Sequence, residues 1–117
     1  MEIRKIKELL HADVLCGEEL LGNEVSSACC SDMMSDVLAY VKDQGVLLTG
    51  LLNSQVIRTA DMMDMVCVVF VRNKMPTDEI VSLAKDCGIV VMRSELRAFE
   101  AAGVLYHAGL GRKNDDG

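Results

Sequence analysis

The six residues Val66 to Val71 read VCVVFV, and they decide how this chain folds. β-branched and aromatic residues favour extended backbone, so this run predicts a strand. Apolar and polar residues do not alternate along it, and a strand that is apolar on both sides is typical of a parallel sheet with helices on both faces. The stretch therefore predicts a buried strand over 66–71 in a sheet that helices cover on both sides.

The residues that follow repeat a unit of helix and strand. The sequence PTDEIVSLAKDCG, 76–88, begins with a strong helix start and ends in a glycine. The stretch IVVM, 89–92, predicts a second strand that is buried on both faces. A final helix is predicted over 94–110, with Ser94 as its N-cap. Its apolar face is predicted to carry Phe99, Ala102, Tyr106 and Leu110.

The residues that precede the central strand show the same alternation. VLLTG, 46–50, predicts a short buried strand, and a helix is predicted over 53–65. Before it, SDMMSDVLAYVKDQG, 31–45, predicts a helix that begins with Ser31 as N-cap and ends before Gly45.

The N-terminal part predicts four short elements: a helix at about 3–11, a strand at 14–16, a turn-rich loop at 17–24 and a strand at 25–30. Strands that alternate with helices of this length predict parallel βαβ units. The predicted fold is α/β, a three-layer α/β/α sandwich around a mainly parallel sheet. Since no linker or repeat divides the chain, residues 1–110 are predicted to form one domain, followed by a polar tail at 111–117.

Composition and charge exclude several classes of function. The 117 residues carry a formal net charge of -6, and only 3% of them are aromatic. An acidic chain with few aromatic rings is unlike a protein that binds nucleic acid or anionic lipid. No apolar run approaches the roughly 18 residues that span a bilayer, and no signal-peptide core begins the chain. We therefore expect a cytoplasmic protein without nucleic-acid or membrane partners.

The five cysteines and eight methionines are predicted to be packing residues. The cysteines lack the paired C-x₂-C spacing of zinc and iron–sulfur sites. Cys29 and Cys30 are neighbours in a predicted strand, so their side chains point to opposite faces and cannot easily serve one ion. No metal or cofactor is predicted. Two neighbouring methionines on a helix cannot both face the core, so the pairs Met33–Met34 and Met62–Met63 are each expected to leave one side chain exposed.

No catalytic motif is readable in this sequence. It contains no G-x-S-x-G, H-E-x-x-H, Walker-type loop or G-x-G-x-x-G. His11 and His107 lie near predicted helix ends, away from any nucleophile motif. Acid–base chemistry by two carboxylates stays open, although the aspartates occupy positions where capping or solvated roles suffice. The chain is predicted not to be an enzyme, and no catalytic residue is assigned.

Polar residues follow the predicted strands, where open parallel sheets bind ligands and helix N-termini offer N–H groups. We call them the polar rim and predict a candidate ligand site there: Ser31, Asp32, Thr49, Asn53, Ser54, Arg72, Asn73, Lys74, Arg93 and Ser94. Its three cations can hold a small anionic metabolite or a nucleotide. Equally, these residues are the caps and turns that any such fold needs, so both interpretations stay open.

Three stretches resemble one family: IRKIKELLHADVLCGEE at 3–19, SACCSDMMSDVLAYVKDQGVLLTG at 27–50, and MPTDEIVSLAKDCGIVVMRSELRAFEAAGVLY at 75–106. The second carries a Ser-Asp, an apolar pair and a second Ser-Asp at 31–36, as relatives do. The chain is similar to the DRTGG domain family, and through it to the N-terminal domain of HPr kinase. Three motifs differ. Leu51-Leu52 stands in place of Asp-Arg, Val71-Arg72-Asn73 in place of Thr-Gly-Gly, and only Phe99 remains of Tyr-Asp-Thr-Phe.

The resemblance implies an HPr kinase N-terminal domain-like fold. It implies a non-catalytic regulatory or protein-interaction module, here a stand-alone one that self-associates as a homodimer. It also implies a protein partner in a redox or hydrogenase-linked system of an anaerobic bacterium. The alternative is a metabolite- or nucleotide-binding sensor that uses the polar rim.

Overall fold

Within the described residues, five strands form one sheet, in which the first, fifth, fourth, third and second strands of the chain lie side by side in that order. The structure, a computed structural model, describes residues 1–40 and 45–110. The strands are β1 (Asp13–Cys16), β2 (Ser27–Cys30), β3 (Gly45–Thr49), β4 (Cys67–Phe70) and β5 (Val90–Arg93). Strands β2 to β5 run parallel, and β1 pairs antiparallel with β5 at one edge. The predicted α/β class is confirmed, and the stretch VCVVFV supplies the central strand.

Helices cover both faces of this sheet, which confirms the three-layer architecture. They are α1 (Ile3–Leu10), α2 (Met34–Tyr40), α3 (Ser54–Met62), α4 (Asp78–Cys87) and α5 (Ala98–His107). From β2 to β5 each connection steps to the next strand in the same direction, so crossovers of one hand place α2, α3 and α4 on the same face. The terminal helices α1 and α5 pack on the other face.

The strands carry apolar residues on both sides because a layer of helices covers each face of the sheet. Leu47, Val68 and Phe70 pack against the layer of α2, α3 and α4. Leu48 and Val69 pack against α1 and α5. All are at most 1% exposed, and burying a side chain of this size contributes about 1.5–3 kcal/mol.

Most of the sulfur residues pack in or against the core, whereas Cys30, Met33, Met62 and Met75 are exposed. Cys67 is fully buried, and burial raises the pKa of its thiol, which therefore stays protonated and acts as a small apolar group. Cys29 and Cys30 lie on opposite faces of β2, the first packed against the core and the second exposed. Met33 and Met62 are exposed while the neighbour of each is partly buried.

Two predicted helix starts were wrong. Helix α2 begins at Met34 rather than at Ser31, whose Oγ instead accepts a hydrogen bond from the Met33 N–H at 2.9 Å. Helix α5 begins at Ala98 rather than at Ser94. The Ser94 hydroxyl is buried and donates to the carbonyl oxygen of Leu10 at 2.8 Å, so it ties the end of β5 to α1.

Some expectations fall outside the described residues, namely the continuation of the second predicted helix through 41–44 and the polar tail at 111–117. Across the ranges that are described, every helix is too short or too polar to cross a bilayer.

Candidate functional site

Asp32 connects the C-terminal ends of three neighbouring strands. It lies just after β2, and its Oδ1 accepts hydrogen bonds from the Thr49 hydroxyl at 2.9 Å and the Gly50 N–H at 2.8 Å, both at the end of β3. Its Oδ2 lies 3.1 Å from the guanidinium Nη2 of Arg72, which follows β4. The structure therefore brings four residues of this edge together around one carboxylate.

The close approach of Arg72 depends on a glycine. A Cβ atom at position 50 would lie 2.6 Å from Cζ of Arg72, so a larger residue would displace the guanidinium. Gly50 therefore lets the Arg72 side chain lie over the end of β3 and reach Asp32.

The contacts of Asp32 favour its charged form. The pKa of this carboxyl is lowered, mainly by the Gly50 N–H and further by the Thr49 hydroxyl and the Arg72 guanidinium, while partial burial opposes the shift. The side chain is 51% exposed, so solvent screens its ion pair with Arg72. Asp32 is ionised at neutral pH and occupies the two donors, N–H and guanidinium, that an anionic ligand would use here.

The other cations of the polar rim, and Ser94, do not contact Asp32. The Arg93 guanidinium lies 2.9 Å from a carboxylate oxygen of Asp13, its register partner across β1 and β5. Ser94 is buried against α1, as described above. Lys74 is exposed. The rim predicted from the sequence is therefore not one cluster, since Arg93 and Ser94 serve the junction of β5 with β1 and α1.

Asn53 caps α3 by accepting a hydrogen bond from the Gln55 N–H at 2.8 Å. It borders a shallow groove of about 280 Å³ between the N-termini of α3 and α4, lined by Leu52, Asn53, Ser54, Thr77, Glu79 and Ile80. The carboxylate of Glu79 disfavours an anion in this groove, although two helix N-termini meet there. Among the residues that the structure describes, no three metal-ligating side chains come together.

The sequence profile of the DRTGG domain matches residues 5–108. The chain belongs to the DRTGG domain family. A crystal structure of the CBS and DRTGG domains from the regulatory region of Clostridium perfringens pyrophosphatase, complexed with the activator diadenosine tetraphosphate, has the same fold. The two share 15% sequence identity at a TM-score of 0.72, over 97% of this chain and 51% of that one. The chain thus spans about half of that regulatory region. No match was found among the curated proteins.

Two residues near Asp32 have an unusual backbone conformation at a position of the DRTGG family motif. Arg72 and Asn73 both have left-handed backbone, with φ of 60° and 56°. They are held there because the Arg72 N–H donates to Leu96 O at 2.7 Å and the Asn73 N–H donates to Ser94 O at 2.9 Å. These are the positions where the resemblance places Gly-Gly, and glycine adopts this conformation without steric cost. In this chain the left-handed turn therefore forms with Arg72 and Asn73 rather than with glycine.

The outer face of α5 is the second candidate site of this DRTGG domain. The helix buries Ala101 and Leu105 and turns Phe99 and Tyr106 outward, where they are 89% and 61% exposed. Of the four residues predicted to share one apolar face, Phe99 and Tyr106 are thus exposed, whereas Leu110 is buried. Apart from Glu100 and His107, α5 consists of apolar residues, glycine and tyrosine. Such a helix offers two apolar faces, and the sequence pattern alone did not distinguish them.

A shallow hollow of about 490 Å³ lies beside the exposed Phe99 ring, whereas Tyr106 borders a different cleft. The hollow is lined by Leu9, Phe99, Glu100, Gly103, Val104, His107 and Ala108. A smaller cleft of about 260 Å³ lies on the other side of α5, between the helix and the edge strand β2. Cys30 lines that cleft, and the pKa of its thiol is raised by partial burial and by the charge of Asp32, which disfavours a reactive thiolate there.

Proposed function

We propose that this DRTGG domain is a non-catalytic regulatory module that works by binding protein, including further copies of itself, through the outer face of α5. The match to a domain from the regulatory region of a pyrophosphatase, rather than from its catalytic part, supports this class of function. The exposure of Phe99 is the observation that carries the proposal.

Leaving the apolar outer face of α5 in water is unfavourable. A helix as rich in apolar residues as α5 is typically buried on most sides, yet among the described residues it is the inner side of α5 that packs on the core. Phe99 leaves nearly its whole side chain in solvent, and Tyr106 lies on the same face. Covering a phenylalanine ring contributes about 1.5–3 kcal/mol, so a protein surface that fits this face gains stability by docking on it.

The Asp32 cluster fits this function as a structural element. It ties β2, β3 and β4 together at one edge of the sheet and leaves Arg72 paired with a carboxylate of the same chain. An anionic ligand that bound to the Arg72 guanidinium would have to displace the Asp32 carboxylate. The geometry therefore favours an interaction surface at α5 over an anion site at the rim.

Amide NMR spectra recorded over a range of protein concentrations test the proposal. The expected result is a set of concentration-dependent shifts that cluster on 98–108. Phe99→Glu should abolish them with the fold intact. Met62→Glu is the matched control, since Met62 is 68% exposed on α3, on the opposite layer. Shifts that cluster on another element, or none up to high micromolar concentration and no captured protein, would contradict the proposal.

A metabolite sensor is the second candidate, and one observation favours it. The C. perfringens structure contains an activator, diadenosine tetraphosphate, together with its CBS and DRTGG domains. In this chain, Lys74 is exposed beside the left-handed pair Arg72 and Asn73, and backbone strain of this kind concentrates at functional sites.

Thermal unfolding with diadenosine tetraphosphate, ATP, AMP and inorganic phosphate tests the sensor. A ligand at 100 times its dissociation constant should add about 2.7 kcal/mol of stability. Lys74→Ala should remove the gain, and Lys85→Ala, on α4, should not. The absence of stabilisation by all four compounds would contradict this candidate.

A further inference from the structure

We infer that the outer face of α5 binds the same face of a second copy, with the two helices antiparallel and a two-fold axis beside Gly103. This inference rests on the proposed function and adds the partner and its orientation. It follows from the spacing of residues on the helix surface, which makes the face complementary to itself.

The outer face has a glycine at its centre. At about 3.6 residues per turn, Gly103 lies opposite the midpoint of Ala101 and Leu105, the two residues that α5 buries. Gly103 is exposed, so the backbone of a second helix can approach closely at this point. The hollow bordered by Leu9 of α1 adjoins Gly103 on the side of Glu100 and His107.

Two pairs of residues flank Gly103, one on each side of the face. Phe99 and Tyr106 lie on one side, and Glu100 and His107 lie on the other. The members of each pair are seven residues apart, and the two pairs are centred half a residue before and half a residue after Gly103. A two-fold axis between antiparallel helices keeps each side of one helix against the same side of the other.

The symmetry therefore brings unlike residues together. Phe99 of one copy meets Tyr106 of the second, so that two aromatic pairs form across the axis. Glu100 meets His107, so that an acid faces a base at both ends of the contact. A parallel arrangement has its two-fold axis along the helices, and would instead bring Glu100 of one copy against the Phe99 and Tyr106 side of the second. For a chain of net charge -6, an arrangement that sets each carboxylate against an imidazole rather than against another carboxylate favours self-association.

Cysteine cross-linking in a Cys30→Ser background tests the arrangement. Gly103→Cys places two thiols beside the axis, and mild oxidation should give a covalent dimer. His107→Cys should not cross-link, because antiparallel helices separate the two positions by about 12 Å along the axis, beyond the reach of a disulfide. In a parallel pair both variants would cross-link. Ser82→Cys on the exposed side of α4 is the control that should stay monomeric under the same oxidation.

Charge reversal tests the same contact without cysteines. Glu100→Lys and His107→Glu should each raise the dimer dissociation constant about two- to fivefold, the range expected for an exposed ion pair. The double variant should restore it. Recovery also separates a lost contact from damage to the α5 N-terminus, where Glu100 accepts a hydrogen bond from the Arg97 N–H.

The outcomes distinguish this inference from the proposed function. A dimer that forms, loses affinity on Phe99→Glu, and fails to cross-link at position 103 overturns the antiparallel arrangement and leaves the interaction face in place. Additive losses in the double charge variant overturn it as well. A wild-type protein that stays monomeric and captures no partner overturns both.

Discussion

The Asp32 carboxylate lies 3.1 Å from the Arg72 guanidinium, across forty residues of sequence. The same carboxylate accepts hydrogen bonds from Thr49 and Gly50. This relationship joins the ends of β2, β3 and β4 through a residue that precedes α2. Among the described residues at this edge of the sheet, Asp32 makes side-chain hydrogen bonds to the most neighbours. Substituting it therefore tests the cluster directly.

Asp32→Asn is expected to lower the free energy of unfolding by roughly 1 kcal/mol at neutral pH. The amide keeps the shape but weakens a charge-assisted contact, and the half-exposed pair with Arg72 adds little because solvent screens it. Urea unfolding measures the loss. Asp36→Asn is the control, an exposed carboxylate in the first turn of α2, and should have a smaller effect. Equal losses in the two variants would contradict the role of the cluster.

The contribution of Asp32 should depend on pH with a definite sign. Its folded-state pKa is lowered, so its stabilisation is fully present above the unfolded pKa and disappears as the pH falls through the folded value. The difference in unfolding free energy between wild type and Asp32→Asn should therefore be constant near neutrality and shrink in acid. A difference that grew as the pH fell would contradict the depressed pKa of Asp32.

Gly50→Ala should be destabilising only while Arg72 is present. The added methyl group displaces the guanidinium from Asp32, so the loss should be near that of Arg72→Ala, and the double variant should lose little more than either single one. Gly22→Ala is the control, because a Cβ there meets no atom within 4 Å. Denaturant unfolding of the four proteins completes the cycle. Strict additivity would show that Gly50 acts independently of Arg72.

Arg72→Gly should be more stable than Arg72→Ala by about 1 kcal/mol. Both variants remove the guanidinium, but alanine keeps the steric cost of left-handed backbone at φ 60° and glycine does not. Thermal unfolding of the two variants gives the difference. The order would reverse if the residue left the left-handed region, because glycine would then lose more backbone entropy on folding than alanine.

The sequence correctly predicts the layers of this fold, but it does not predict where α2 and α5 begin. VCVVFV and IVVM are apolar throughout because both sheet faces are covered, and this pattern is local. The start of α5, by contrast, lies beside a contact between residues that are far apart in the sequence. Ser94 is an acceptable N-cap by type, but its hydroxyl donates to Leu10, eighty-four residues away, and accepts from the Leu96 N–H in a turn that precedes the helix, which begins four residues later.

The candidate sites show the same limit. The sequence placed Asp32, Thr49 and Arg72 at one sheet edge, since strands of a parallel sheet end together, but it did not predict that Asp32 would pair with Arg72 or that Arg93 would turn to Asp13. The α5 face was missed because Phe99 on one side of the helix and Ala101 on the other are both apolar, and the inner face is decided by packing against the sheet and α1. The presence of apolar residues on more than one side of the helix was the available signal.

The mass of the protein in solution tests the account most directly. Sedimentation equilibrium at about 10 and 300 µM should show wild type moving from 12.8 kDa toward twice that mass. Phe99→Glu should remain at 12.8 kDa and Met62→Glu should follow wild type. A wild-type protein that stays at the monomer mass at both concentrations, or a Phe99→Glu variant that associates as wild type does, would contradict an interaction face on α5.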